Sequence, residues 1–539
     1  MTATRPSVIV MAGAALLLAL KIVLSMDLTV QASYSPHDDT LYVERAAHLL
    51  SGEAFGPYDS RLLVKYPGLS LWVAGMRAVG VPFLLSIHAL YVAAGIYLLF
   101  ALRRAGVSYG VLLAAWALYL LNPLTFTDEW SRVFREPLDT ALLVVMIAAL
   151  AHILVRLTDR ARWIHLGVFC GVFAFSMFLR EENRLLWGLL ALFFVALLWR
   201  AKQLGVLDRR ALVFLGMVLV APAVTAKAFE YGLREFVERN YGRPLVYDFA
   251  EGEFPRLLAA IRSIESQKDN RLVMVTQERL AKLRQEVPAF APVIDRLPKP
   301  EPGTYSCRLQ GVCSEWSNGW MPFWIKDEAF NAGLTPNLAA AQDYFRRVRT
   351  EIEDACAAGR LRCAPKGQGF LPPMELRWTR AYVGEAYRLL RMTLTPEPYI
   401  KASVPAVELP ERVRPLYRAA GIPITSPPPA TGPLPEIRQA LSLPYQVIAA
   451  LLLMAAFACL LFRFWIADRA PLGPLALICA AVGLYSLFRL SALTYAAVFL
   501  GPFTSRIVFS TYTVSVLVAL PFVVETISAW RAIRTRTEA

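Results

Sequence analysis

Asp38 and Asp39 stand side by side in Ser35-Pro36-His37-Asp38-Asp39-Thr40-Leu41-Tyr42, directly after the first long apolar run of the chain. A carboxylate at that place has the chemistry of a general base for an acceptor hydroxyl. Asp is also favoured where a helix starts, and the spacing of Tyr42, Ala46, Leu49 and Leu50 predicts a helix from Thr40. Capping accounts for one aspartate less awkwardly than for two. Asp39, adjacent to Thr40, is the expected cap, which leaves Asp38 for chemistry. Other charges fall beside other apolar runs: Lys65 in Lys65-Tyr66-Pro67-Gly68-Leu69, the group Arg135, Glu136 and Asp139, the turn Arg180, Glu181, Glu182 and Arg184, then Arg489 and Arg506. Lys65, Arg180, Arg489 and Arg506 are cations that suit an anionic group such as a phosphate, Arg being the better match to its geometry. Each has a plainer reading. Arg135-Glu136 and Arg180-Glu181 also suit structural ion pairs, Lys65 a side chain snorkelling to headgroups, and Arg489 and Arg506 contacts to any lipid phosphate.

The elements that must position these residues are membrane spans. The 539-residue chain is 56% hydrophobic, against the 45–50% usual for a soluble domain. It holds many runs of about 20 apolar residues, which inside a bilayer must be helical. Spans are expected at 8–26, 82–102, 109–122, 137–156, 163–179, 185–200, 211–228, 443–463, 471–489 and 506–528, so that Arg489 closes the ninth and Arg506 opens the tenth. The first run exceeds a signal-peptide core and offers no small-x-small cleavage site, so it reads as a span. The loops that face one side carry Arg103 and Arg104, then Arg156, Arg160 and Arg162, then Arg200, Lys202, Arg209 and Arg210, then Arg463 and Arg469, and the tail adds Arg531, Arg534 and Arg536. With Arg5 before the first span, the positive-inside rule places both termini in the cytoplasm of a plasma (inner) membrane. The net charge of +14 is then largely topology and implies no nucleic acid.

The fold expected is all-α and polytopic, with about ten transmembrane helices and a large, mainly helical extracytoplasmic domain. It divides into a membrane module at 1–228, whose first outer loop at 27–81 carries the acidic pair, an outer domain at 229–442, and C-terminal spans with a basic tail at 443–539. Within the outer domain, 254–264, 274–287, 339–357 and 376–394 have helical apolar spacing, and 422–435 (IPITSPPPATGPLP) reads as a stiff linker. Four of the seven cysteines lie there: Cys307 with Cys313, and Cys356 with Cys363. Without a CxxC spacing or a histidine between 229 and 442, two short-loop disulfides are favoured over zinc. Cys170, Cys459 and Cys479 fall in spans. Trp316, Trp320, Phe323 and Trp324 suit either core or sugar stacking, with core favoured. No charged pair is expected near the bilayer midplane, where a transporter would place one.

With these residues in view, the chain resembles the GT-C superfamily of polyprenyl-phosphate-dependent glycosyltransferases, nearest in pattern to the protein O-mannosyltransferase and lipid A aminoarabinose transferase type. Asp38-Asp39-Thr40-Leu41-Tyr42 is similar to the family's acidic pair after the first span, with Asp in place of Glu. The stretch 43–52 looks like its interfacial helix. Lys65-Tyr66-Pro67-Gly68-Leu69 looks like its Lys-Pro-Pro-Leu element, with Gly68 for the second proline. Arg135-Glu136 and Arg180-Glu181 match as well. The resemblance covers 1–228 and the final spans. It implies an inverting transfer of a sugar from a polyprenyl-phosphate donor to a glycan, lipid or protein acceptor, with Asp38 as base and Asp39 as its nearest alternative. No cofactor is implied, and the acidic pair alone does not establish a divalent metal. A transporter or flippase of lipid-linked glycans and a non-catalytic membrane scaffold are the alternatives.

Overall fold

The computed structural model of the chain describes residues 7–266, 270–301, 305–364, 371–396, 409–424, 432–466, 472–501 and 503–538. Arg5, Arg469 and residues 425–431 of the Pro-rich stretch lie outside them. The chain is an all-α, polytopic membrane protein. Among the described residues nine helices are long and apolar enough to cross a bilayer, and Arg162–Met177 is a shorter apolar one. The ten coincide with the ten expected runs.

Helix Arg135–Val155 sits at the centre, almost wholly buried, packed against Phe83–Arg104, Arg162–Met177 and Phe509–Glu538. Its sequence gives the reason. After Asp139 no charged residue occurs until Arg156, and apolar residues occupy every face, as in a helix surrounded by others. Four helices outrun their expected limits by nine residues or more, among them Leu434–Trp465, which begins nine residues before 443, and Phe509–Glu538, which ends ten residues past 528. Arg209–Tyr241 continues well past 228. Pro474–Leu500 continues eleven residues past Arg489, so Arg489 lies inside a helix rather than at its end. The apolar stretch LSALTYAAVFL after Arg489 sustains the helix, because one buried and paired charge does not interrupt backbone hydrogen bonding.

The loop between the first two spans folds into two short helices, Asp39–Ser51 and Gly68–Ala78. The first ends at Gly52, whose φ of 81° is the left-handed conformation that terminates helices without Cβ strain. Beyond Tyr241 a second core forms around Phe254, Leu257, Ile261, Leu283, Ile325, Phe345 and Val348, and Leu41 and Val64 of the first loop join it. Its main helices, Glu253–Ser263 and Leu338–Ala357, pack face to face. A two-stranded antiparallel pair, Val273–Val275 with Trp316–Ser317, is the one sheet among the described residues. Cys307–Cys313 and Cys356–Cys363 are disulfide-bonded, with Cα separations of 4.3 and 5.7 Å. Trp316 is buried in this core, whereas Trp320, Phe323 and Trp324 are half-buried at its edge.

Candidate active site

The acidic pair is placed by a turn. Asp38 N–H donates to the Ser35 carbonyl at 3.0 Å, with Pro36 supplying the fixed φ of the second turn position. The Ser35 N–H donates to Thr40 Oγ1 at 2.9 Å, so Thr40 closes the turn. The helix starts at Asp39, and Asp38 occupies the N-cap position without a side-chain cap bond. Neither aspartate caps with its side chain, which corrects the expected role of Asp39.

Asp39 is instead fully buried and held by Arg132, whose Nε and Nη2 donate to its two carboxylate oxygens at 3.1 and 2.6 Å. Arg132 reaches it because the first-loop backbone meets the 128–132 segment: Gln31 N–H donates to the Ser131 carbonyl at 3.1 Å, and Gln31 Nε2 to Asp128 Oδ1 at 2.9 Å. The Arg132 guanidinium also lies 3.8 Å over the Phe134 ring. Burial pushes the Asp39 carboxyl up to about 6 despite the opposing pull of Arg132. Asp38 differs. Its side chain is 33% exposed, and its ion-pair partner is Lys65 Nζ at 3.9 Å.

Two constraints fix Lys65. Buried Arg45 donates Nη1 to the Lys65 carbonyl at 3.0 Å and Nη2 to the Arg61 carbonyl at 3.2 Å, pinning the loop against helix Asp39–Ser51. Gly68 N–H donates to the Phe178 carbonyl at 2.8 Å, and a Cβ at Gly68 would lie 2.6 Å from that same oxygen. A proline there would lose the donor and add the clash. Glycine at this place therefore docks the Lys65 loop beside the Leu179-Arg180 turn.

That turn anchors the rest. Arg135 Nη1 donates to both oxygens of Glu181, at 2.7 and 2.9 Å, and its guanidinium carbon is 5.8 Å from the centre of the Tyr42 ring. Arg180, 4% exposed in its side chain, pairs with Glu182 and stands 3.7 Å from Glu136 Oε1. Arg506 Nε stands 3.6 Å from the same Glu136 oxygen and stacks 4.3 Å over Phe134. Arg489 Nη2 is 3.3 Å from Asp139 Oδ2 and 3.7 Å from Glu182 Oε1. Asn183 Nδ2 donates to the other Asp139 oxygen at 2.8 Å. Among the described residues, none supplies a hydrogen-bond acceptor to the buried Arg180 Nε or Arg489 Nε. The Asp139–Arg489 pair, 2% and 1% exposed, is a charged pair between two spans. Asp139 is the fifth residue of its helix, which puts the pair toward the end that carries the acidic loop.

Every expected site residue, from Asp38 and Asp39 through Lys65, Arg135, Glu136, Arg180, Glu181 and Arg489 to Arg506, thus sits at that end of the bundle. Arg132 and Glu182 were not among the expected site residues. Arg132 is separated from Asp39 by 93 positions, and its only signal was a lone arginine next to Asp128 and Glu129. The domain beyond Tyr241 also reaches the loop. His37 Nε2 lies 3.5 Å from Asp327 Oδ2, and its ring is 4.7 Å from Phe323 and 6.4 Å from Trp320. Among the described residues no group of three or more His, Cys, Asp or Glu side chains is placed to hold a metal ion.

No family model and no curated protein matches this chain in sequence. Among solved structures it is similar to ArnT from Cupriavidus metallidurans in the apo state, at 14% identity and a TM-score of 0.34, over 91% of this chain and 78% of that one. It is similar to the same protein bound to undecaprenyl phosphate at 13% identity and a TM-score of 0.33, over the same shares of the two chains.

Proposed function

We propose that this protein is a membrane glycosyltransferase of the GT-C type, which moves a sugar from a polyprenyl-phosphate donor to an acceptor on the extracytoplasmic face, with inversion, using Asp38 as general base. The observation that carries the reading is the division of labour in the acidic pair. Asp39 is buried and bound bidentately by Arg132, whereas Asp38 is one-third exposed with a single loose contact to Lys65. A base must reach the acceptor hydroxyl, and only Asp38 of the two has an open side. The cations fit a phosphate leaving group. Lys65 and Arg506 are part-exposed, and their carboxylate contacts are long, at 3.9 and 3.6 Å. Arg180 and Arg489 each hold a buried N–H with no acceptor, which a phosphate oxygen would satisfy. An apolar groove of about 720 Å³ between Val8–Ser25 and Phe83–Arg104, lined by Leu18, Ile22, Met26, Leu84 and Val92, suits an isoprenoid chain.

In this scheme the acceptor hydroxyl gives its proton to Asp38 as its oxygen attacks the anomeric carbon from the face opposite the phosphate. The sugar–phosphate C–O bond breaks, and the polyprenyl phosphate leaves with the electron pair, met by Lys65, Arg180 and Arg506. The test is sugar release and transfer from a panel of polyprenyl-phosphate sugars, comparing wild type with Asp38→Asn. The variant should fold, retain the donor and lose about 10²–10⁴-fold in rate. Full turnover by Asp38→Asn would overturn the assignment. Loss of turnover in Asp39→Asn alone would exchange the two roles.

A further inference from the structure

Helix Thr379–Leu394 belongs by sequence to the large domain between the two groups of spans, yet its packing is with the spans. Leu389 is fully buried against Leu493 and Ala497 of helix Pro474–Leu500. Tyr382 Oη and Ser491 Oγ are 2.6 Å apart, Gln446 Nε2 of helix Leu434–Trp465 donates to the Pro396 carbonyl at 2.9 Å, and Arg388 Nη1 donates to the Phe503 carbonyl at 2.9 Å. These contacts fix its level. Ser491 lies nine residues before the domain-side end of its helix and Gln446 twelve residues after the domain-side start of its own, about 14 and 18 Å along the axes. Those helices are about 40 and 48 Å long, so each exceeds a hydrocarbon core of about 30 Å by roughly 10–18 Å. Thr379–Leu394 therefore crosses them near the boundary between hydrocarbon and headgroups.

Its outward residues match that level. Val383 is 61%, Tyr387 70% and Leu390 43% exposed, and they form one stripe at helical spacing. Leu376, just before the helix, is 94% exposed. Exposed Arg380 and Arg391 flank the stripe on one side. The adjoining span, Pro474–Leu500, also exposes large apolar side chains, Leu484, Leu487 and Phe488, before Ser491. An apolar stripe bordered by arginines, at this depth, has the composition of a helix lying in the membrane interface.

We propose that Thr379–Leu394 is an interfacial helix of the domain-side leaflet, with Val383, Tyr387 and Leu390 immersed among acyl chains and Arg380 and Arg391 at the lipid phosphates. The partner is the lipid surface itself. The site gains a structural consequence, since this helix packs on the 503–508 turn that presents Arg506 and ties that turn to the membrane surface.

The test uses the full chain in liposomes, with Cys170, Cys459 and Cys479 replaced by Ala and spin labels placed at Val383→Cys, Tyr387→Cys and, as a domain control, Arg296→Cys. Power saturation with oxygen and a water-soluble nickel chelate should give labels at 383 and 387 that favour oxygen, and a label at 296 that favours nickel. Equal nickel access at all three sites overturns the proposal. Wild-type protein gives a second measurement without substitutions. In liposomes containing a diazirine-bearing lipid, adducts should map to 379–394 as well as to the spans. Labelled spans with an unlabelled 379–394 would also overturn it.

Discussion

Replacing Asp39 by Asn should stabilise the protein at neutral pH and leave it unchanged in acid. The side chain is fully buried, and burial raises its carboxyl from the ordinary 3.8 to about 6. A shift of that size corresponds to about 3 kcal/mol, undiscounted because water does not reach the group. The sign follows from the direction. The folded state prefers the protonated acid, so below pH 3.8 folded and unfolded chains are both protonated and nothing is lost. As pH rises toward 6 the unfolded chain ionises more readily than the folded one, and the cost is complete above that value. Asn keeps the shape and never ionises. Arg132, left without its anion, is 27% exposed and lies over Phe134, so its charge can be hydrated. Equilibrium unfolding in mixed micelles, followed by far-ultraviolet circular dichroism, should show the variant more stable by up to about 3 kcal/mol at pH 7.5, with the gap closing by pH 4. A variant that unfolds first at pH 7.5, or a gap independent of pH, would refute the reasoning. The expected gain also argues for function, because a charge retained at a cost in stability is expected where activity uses it.

Arg489→Met should cost about 3–5 kcal/mol in the same unfolding measurement, because it strands Asp139 and weakens Glu182 at buried positions. The Asp139→Leu, Arg489→Met double variant should recover most of that loss, and a double variant worse than Arg489→Met would show that the pair is not the cause. Gly68→Ala should cost about 1–3 kcal/mol, since the Phe178 carbonyl 2.6 Å from the new Cβ is backbone and cannot swing aside. An unchanged midpoint would show that the Lys65 loop is not docked through Gly68. Arg506→Gln should weaken donor retention by lipid-binding assay while leaving unfolding unchanged, and equal retention would reduce Arg506 to an anchor for bulk lipid. Non-reducing peptide mapping should recover Cys307 with Cys313 and Cys356 with Cys363, and free thiols at all four positions would reject both bridges.

The spans were legible because a bilayer imposes a length and an apolar content that few other constraints imitate. Two helices between the groups of spans were legible for a related reason, since 339–357 and 376–394 carry a one-sided apolar stripe, and they fold as Leu338–Ala357 and Thr379–Leu394. Arg489 shows where this logic fails. A charge ends an apolar window, but the helix ignores it because Asp139, 350 positions away, neutralises it inside the protein. The acidic pair shows the same limit. Helix-start statistics assign a cap to Asp39, whereas Arg132, brought in by the Gln31 contacts, offers two hydrogen bonds that the helix terminus cannot match. Residue types and their nearness to the membrane surface are readable in one dimension. Which carboxylate takes which cation is decided by packing.

That pairing bears on how an anion could bind at all. The ion pairs of the site join six carboxylates (Asp38, Asp39, Glu136, Asp139, Glu181 and Glu182) to six cations (Lys65, Arg132, Arg135, Arg180, Arg489 and Arg506), so the cluster is neutral as it stands. In a neutral cluster a phosphate would bind at the Nε–H groups of Arg180 and Arg489, which meet no acceptor among the described residues, or at a cation that a carboxylate gives up. The contacts differ in how readily they would do so. Asp39 is held by two nitrogens of Arg132, and losing them would strand its charge in a buried place, while Glu181 meets one nitrogen of Arg135 through both of its oxygens at short range. Glu136 is shared at 3.7 and 3.6 Å between Arg180 and Arg506, and Asp38 meets Lys65 only at 3.9 Å. These looser partners are the ones a phosphate can displace at least cost. The displaced groups differ in consequence. Glu136 would lose charge pairing at a buried place, whereas Asp38, parted from Lys65, would keep a carboxylate that is one-third exposed. In the proposed reaction, donor binding and the parting of Asp38 from Lys65 would then be one event.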